Sequence, residues 1–195
     1  GELQELEHGR AGGSLAVFAP VARGVWPPAS AAQVSRDLQS AFAGMLTGRR
    51  GPAVVELPLD VQCEAADVEL AFPFAYRAGG PVLPDPDLVQ RAADLLAMAR
   101  RPVILAGGGV LAAEAWDELQ RLAELLEAPV LTTMMGKGSF PEDHVLAGLH
   151  AGWPGTSCGN ALARSADVLL AVGTRFAPRS TSFYRQGATY NIPPT

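Results

Sequence analysis

Arg101-Pro102-Val103-Ile104-Leu105-Ala106-Gly107-Gly108-Gly109-Val110-Leu111-Ala112 is the stretch on which the reading of the fold turns. Its Val-Ile-Leu-Ala run is short, apolar and partly β-branched, and reads as a strand buried on both faces. Three glycines follow at once, then helix-forming residues. The pattern fits G-x-G-x-x-G/A between a buried strand and a helix, where glycines let the backbone approach a pyrophosphate and the helix N-terminus offers free N–H groups. The same glycines also suit a tight strand-to-helix turn that holds no ligand.

Outward from that stretch the rhythm repeats. Upstream, Asp85 can cap a helix with Pro86 at its first position, and Leu88, Ala92, Leu95 and Ala99 would form its buried face. Downstream, a helix over about 112–126 would turn Trp116, Leu119, Ala123 and Leu126 inward. A strand at 129–132, a glycine-rich loop, a short helix near 160–164 and a strand at 168–172 follow. Strands alternating with helices predict an α/β fold with a doubly wound, Rossmann-like parallel sheet.

Open sheets of this kind place ligands beyond the carboxyl ends of their strands. Two more loops therefore become candidates. One is Thr133-Met134-Met135-Gly136-Lys137-Gly138, with the single lysine of the chain; the other is Gly173-Thr174-Arg175-Phe176. The Arg175 guanidinium has the geometry to grip a phosphate bidentately. A nicotinamide site asks for an acidic residue at the end of the second strand, to hold the ribose. Leu131-Thr132-Thr133-Met134-Met135 supplies none, which counts against NAD. Glu142-Asp143-His144 follows Pro141 and reads better as a turn than as a metal-ligand cluster, and His150 near Trp153 reads as packing.

The amino-terminal part is organised differently. The first thirty residues are rich in turn signals. Ser30-Ala31-Ala32-Gln33 fits a capping box, and Val34, Leu38, Phe42 and Met45 recur at helical spacing until Gly48 and Gly51. Pro52-Ala53-Val54-Val55-Glu56-Leu57-Pro58 reads as a strand. Breakers then dominate, so we expect one domain over 1–60, a linker over 61–85 and a second domain over 86–195.

Composition excludes several classes. With 20 acidic against 15 basic residues and a net charge of −5, the 195-residue chain lacks the basic excess of a nucleic-acid groove. Its apolar runs fall far short of the ~20 residues of a membrane helix. Two cysteines, Cys63 and Cys158, make no disulfide framework, and the chain reads as cytoplasmic. Neither a Ser-His-Asp pattern nor a P-loop lysine is present. A start at Gly1 without Met and an end at Ile192-Pro193-Pro194-Thr195 read as a piece of a longer polypeptide.

Four strings in order and spacing carry a resemblance. They are Gly51-Pro52-Ala53-Val54-Val55-Glu56-Leu57-Pro58-Leu59-Asp60-Val61; Arg101 to Gly109; Ala128-Pro129-Val130 through Met135-Gly136-Lys137-Gly138-Ser139-Phe140-Pro141; and Asp167-Val168-Leu169-Leu170-Ala171-Val172-Gly173-Thr174-Arg175-Phe176. Together they resemble thiamine-diphosphate-dependent enzymes of the acetolactate synthase type. The resemblance implies that residues 1–60 end a pyrimidine-binding domain and that 86–195 form most of a central FAD- or ADP-binding domain. It further implies a parent carboligase or decarboxylase of 2-oxo acids, a homodimer or homotetramer that uses thiamine diphosphate and Mg²⁺. The motifs for those two cofactors, and the catalytic glutamate, would lie outside this chain, leaving the piece alone inactive. By the same resemblance Gly107, Gly108 and Gly109 match the dinucleotide loop. Thr132, Thr133 and Met134 match the segment beside the flavin's middle, and Gly173 with Arg175 match the loop after the later strand. Where acetolactate synthases read Gly-Met-His-Gly and Arg-Phe-Asp-Asp-Arg, this chain reads Gly148-Leu149-His150-Ala151 and Arg175-Phe176-Ala177-Pro178-Arg179. A non-catalytic ADP- or CoA-type nucleotide module, or a purely structural one, is the alternative.

Overall fold

The computed structural model describes residues 13–70, 83–181 and Tyr190. The chain divides into two compact units, Gly1–Val82 and Leu83–Thr195. The turn signals at residues 9–12, Phe72-Pro73-Phe74 and Gly79-Gly80-Pro81 lie outside the described residues.

The first unit holds helix α1 (Gly13–Phe18), strand β1 (Gly24–Trp26), helix α2 (Ala31–Leu46), strand β2 (Ala53–Val55) and the short helix α3 (Leu59–Cys63). Strands β1 and β2 pair in parallel, with Val25 opposite Val54. The Trp26 ring lies under α2, where a Cβ at Gly44 would meet it at 3.3 Å. The expected capping box forms only in part. Gln33 accepts the Ala29 N–H at 3.1 Å, while the Ser30 hydroxyl makes no capping bond. Glu64 takes that place, its carboxylate accepting the Ala31 N–H at 2.8 Å, where a negative charge also opposes the helix dipole.

The second unit begins with helix α4 (Pro86–Ala97), capped as expected by Asp85, whose carboxylate accepts the Asp87 N–H at 2.9 Å. Strand β3 (Pro102–Ala106), helix α5 (Gly108–Ala113), helix α6 (Trp116–Leu126), strand β4 (Val130–Thr132), strand β5 (Ala147–His150), helix α7 (Ser157–Ser165), strand β6 (Val168–Val172) and helix α8 (Pro178–Thr181) follow. All four strands are parallel, in the order β5-β4-β3-β6. In chain order that is third, second, first, fourth, the doubly wound arrangement. Alternate residues of β3 serve opposite faces. Ile104 and Ala106 pack with Val110, Leu119 and Ala123; Val103 and Leu105 pack with Leu131, Ala151 and Ala163. Ile104 and Leu105 are wholly buried, each contributing about 1.5–3 kcal/mol of hydrophobic stabilisation.

Three expectations are corrected. The helix anticipated over about 112–126 is two helices. Glu114 adopts a left-handed conformation (φ 57°) and ends α5, with the Glu114 and Ala115 N–H groups returning to the Leu111 and Val110 carbonyls. Trp116, expected inward, is 42% exposed as a result. Helix α4 buries no residue: Leu88, Val89 and Leu95 are half exposed or more. It lies beside β6, which is the half-buried edge of the sheet, so the described residues offer nothing to cover it. Lastly, β5 occupies what had been read as loop.

At the amino end of the β3–β6 pair, Asp167 accepts the N–H groups of Arg100 and Arg101 at 2.8 and 2.9 Å. Those bonds hold its carboxyl below the usual carboxylate range. The Arg101 Nε–H adds a bond to the Ser165 carbonyl at 2.6 Å.

Candidate functional site: the carboxyl edge of the second sheet

The strand order reverses between β3 and β6, so the crevice of this sheet opens beyond Ala106 and Val172. Three loops meet there, backbone against backbone. The Gly107 N–H donates to the Val172 carbonyl and the Gly109 N–H to the Gly173 carbonyl, both at 2.9 Å. A Cβ on Gly107 would stand 2.3 Å from the Gly173 oxygen, and one on Gly109 2.6 Å from the Gly173 Cα. Gly173 itself is left-handed (φ +61°), and its own Cβ would lie 2.6 Å from the Val110 nitrogen. On the other flank, a Cβ on Gly108 would stand 2.8 Å from the Met135 oxygen, and one on Gly136 2.2 Å from the Ala106 oxygen.

These contacts change the reason for the glycines. Their missing side chains admit neighbouring backbone, and the Gly109 N–H that was expected free at a helix N-terminus is bonded to Gly173. Helix α5 is only six residues long. A tight strand-to-helix turn accounts for all three glycines by itself.

Around this interlock the side chains divide by exposure. Thr132 and Thr133 are buried. The Thr133 hydroxyl accepts the Gly136 N–H at 3.1 Å, fixing a 3₁₀ turn over Met134–Gly136. Ser139 is buried behind it and donates to the Gly136 carbonyl at 2.6 Å. Met134 and Met135, by contrast, are 63% and 74% exposed, an apolar rim on the edge. Lys137 is paired with the Glu142 carboxylate. Arg175 is exposed and makes no ion pair among the described residues. Phe176 follows in a left-handed conformation (φ 51°), its ring edge-on to Tyr190 at 6.1 Å. Tyr190 is seated in the α7-side core; burial pushes its phenol up to about 12, and its hydroxyl has no hydrogen-bond partner among the described residues.

Other candidates resolve into structure. Glu142-Asp143-His144 is a turn, with the His144 N–H reaching the Pro141 carbonyl at 3.4 Å. The His144 ring sits edge-on to Phe140 at 5.1 Å, its Nδ1 accepts the Leu146 N–H at 3.1 Å, and its Nε2 lies 3.3 Å from a Glu124 oxygen. The Glu124 carboxyl is held below its ordinary range, first by the Gln120 side-chain hydrogen bond and then by His144. Among the described residues no cluster of His, Cys, Asp and Glu could hold a metal ion, and no helix is long and apolar enough to cross a membrane.

Sequence reasoning missed the β5–α7 loop. Here β5 carries a bulge: Val130 pairs with Ala147 and Leu131 with Leu149, which leaves Gly148 extra and Leu149 left-handed at φ 62°. Thr156 caps α7, accepting the Gly159 N–H at 2.9 Å, and Thr-x-x-Gly after a proline-glycine turn was the available signal. Asn160 accepts the Gly152 N–H at 2.9 Å and donates to the Gly152 carbonyl at 3.1 Å. Nothing in the sequence marked it.

An open parallel sheet whose glycine loops meet at the switch point defines the class: a doubly wound, Rossmann-like α/β domain. Comparison with known proteins narrows it. The family model for the central domain of thiamine pyrophosphate enzymes matches residues 89–192, and the chain belongs to that family. It is 40% identical over 177 residues to a "Probable acetolactate synthase large subunit" of Methanocaldococcus jannaschii, an alignment covering 88% of this chain and 30% of that protein. It is 40% identical over 169 residues to the glyoxylate carboligase of Escherichia coli O157:H7, covering 85% of this chain and 28% of that one. The "X-ray structure of a putative thiamin diphosphate-dependent enzyme isolated from Mycobacterium smegmatis" superposes with a TM-score of 0.61 at 28% identity, over 80% of this chain and 30% of that chain. The chain thus spans about 30% of the length of the relatives it matches.

Proposed function

We propose that this chain is the central part of a thiamine-diphosphate-dependent carboligase or decarboxylase of 2-oxo acids, with the carboxyl edge of its second sheet binding the diphosphate of FAD or ADP. The observation that carries the reading is the exposed Arg175, without an ion pair among the described residues, beside the convergence of the three loops, within the segment matched by the family model. The residues fit such a ligand in character. Arg175 offers a planar cationic fork for a diphosphate, Met134 and Met135 offer polarizable apolar surface to a ring system, and Thr132 and Thr133 are buried where β4 ends, just before the methionines.

Thiamine diphosphate, when bound in the parent, would supply the electron sink for 2-oxo acid chemistry. The chain's own contribution on this reading is to bind and orient the nucleotide. The parent is a homodimer or homotetramer in the cytoplasm on this reading. The alternative of a non-catalytic module is not favoured, because the relatives are named as synthases and a carboligase.

Calorimetric titration of FAD and ADP into the 195-residue chain tests the nucleotide reading, and saturable binding to wild type is expected. No binding of either would reject the site. Pyruvate turnover with thiamine diphosphate, Mg²⁺ and FAD should stay at background for this chain alone.

A further inference from the structure

Arg175 sits on a strap, and the strap is fastened at both ends. At one end Gly173 is locked into Gly107, Gly109 and Val110. At the other, helix α8 begins at Pro178, and its Arg179–Ser180 peptide lies against the β5–α7 loop. A Cβ on Gly152 would stand 2.5 Å from the Arg179 oxygen and 2.8 Å from the Ser180 Cα. The Trp153 N–H donates to that same Arg179 oxygen at 2.7 Å. Between these anchors only Thr174, Arg175, Phe176 and Ala177 are left to place the guanidinium.

The second anchor depends on where the Gly152–Trp153 peptide is held, and one side chain holds it. The Asn160 amide both accepts from the Gly152 N–H and donates to the Gly152 carbonyl, at 2.9 and 3.1 Å. Gly152 has a φ of +114°, a conformation closed to other residues without strain. An amide with one donor and one acceptor is the side chain that satisfies both groups of one residue at once. The contact is partly buried, where the loss of a partner is felt more than at the surface.

We propose that Asn160 is the positioning residue of the carboxyl-edge site, setting Arg175 toward a bound nucleotide diphosphate through Gly152, Trp153 and the start of α8. The proposal rests on the nucleotide reading of Arg175. It goes beyond it in assigning a role to a residue that touches neither ligand nor strap.

The test uses the 195-residue chain and ADP as the probe, with Asn160→Ala, Asn160→Asp, Arg175→Ala and the double variant Asn160→Ala/Arg175→Ala. Asn160→Ala is expected to weaken ADP binding about tenfold, the loss of roughly one hydrogen bond to a charged group. Asn160→Asp keeps the acceptor and loses the donor, so a smaller loss is expected. It gives the decision if the alanine variant does not fold. Amide hydrogen exchange at Trp153 and Arg175 should quicken in both. The distinguishing result is the cycle: with Arg175 already removed, Asn160→Ala should cost nothing further, because its effect passes through that guanidinium. Additive losses, or wild-type ADP affinity in both Asn160 variants, would overturn the proposal while leaving the site intact. Absence of ADP binding to wild type, or an Arg175→Ala variant that binds as wild type does, removes the nucleotide reading and this proposal with it.

Discussion

At the amino end of the β3–β6 pair one carboxylate, Asp167, gathers two backbone N–H groups from Arg100 and Arg101. At the carboxyl end Gly107, Gly109 and Gly173 press together with no side chain between them. The same two strands are therefore closed by charge at one end and by the absence of Cβ atoms at the other. The difference teaches which perturbation each end feels. Protons reach the first, steric bulk reaches the second, and the exposed Arg175 follows the second.

The sharpest way to break that contrast is to add one methyl group. Gly173→Ala puts a Cβ 2.6 Å from the Val110 nitrogen at a φ of +61°. Left-handed strain of about 1–2 kcal/mol and overpacking of about 1–3 kcal/mol should together lower stability by about 2–5 kcal/mol in urea unfolding. A loss below about 1 kcal/mol would mean the interlock is loose. The interlock also makes Gly108→Val a poor probe of ligand binding, since its side chain meets the Met135 backbone first.

Next in size is Arg175→Ala. Exposed, and without an ion pair among the described residues, it should change stability by less than about 0.5 kcal/mol while costing about 1.5–3 kcal/mol of nucleotide affinity by calorimetry. Arg175→Lys should recover only part, because an ammonium lacks the planar fork. Unchanged affinity would return Arg175 to the solvated surface.

The amino end should answer to pH instead. The folded-state pKa of Asp167 is depressed by the Arg100 and Arg101 N–H bonds, so its contribution is fully present above the unfolded carboxylate value of about 3.9 and is lost as pH falls through the lower folded one. Comparing urea midpoints of wild type and Asp167→Asn from pH 7 to pH 2 should show the gap narrowing on the acid side. A gap independent of pH would deny the charge its role. Smallest of all, Leu88→Gln on the exposed face of α4 should shift stability by no more than about 0.5 kcal/mol; a larger loss would show that the face is covered in solution.

What the sequence made legible follows the same division. Strands β3 and β6 are continuous apolar runs next to glycine, and chain-local chemistry suffices to place both them and the loops after them. The Asp85 cap was equally local. Strand β5 was not, because Ala147-Gly148-Leu149-His150 has no β-branched residue and becomes a strand only by pairing with β4 across a bulge. The break between α5 and α6 was hidden in Leu111-Ala112-Ala113-Glu114-Ala115, all tolerant of helix, where the left-handed Glu114 is set by the return of the next N–H groups to Val110 and Leu111. The inward face expected of α4 fails for the opposite reason: its periodicity is real, but β6 is the edge among the described strands. Of the site, the three loops were visible and their mutual contact was not. The Lys137 pairing and the Asn160 clamp depend on neighbours that only the folded chain supplies.

The turn before β5 carries one more consequence, for the location of a proton. Since the Leu146 N–H points at Nδ1 of His144, that nitrogen keeps its lone pair in the neutral ring, and the single imidazole hydrogen belongs on Nε2, toward Glu124. The imidazole therefore has one tautomer imposed on it by a backbone amide two residues away.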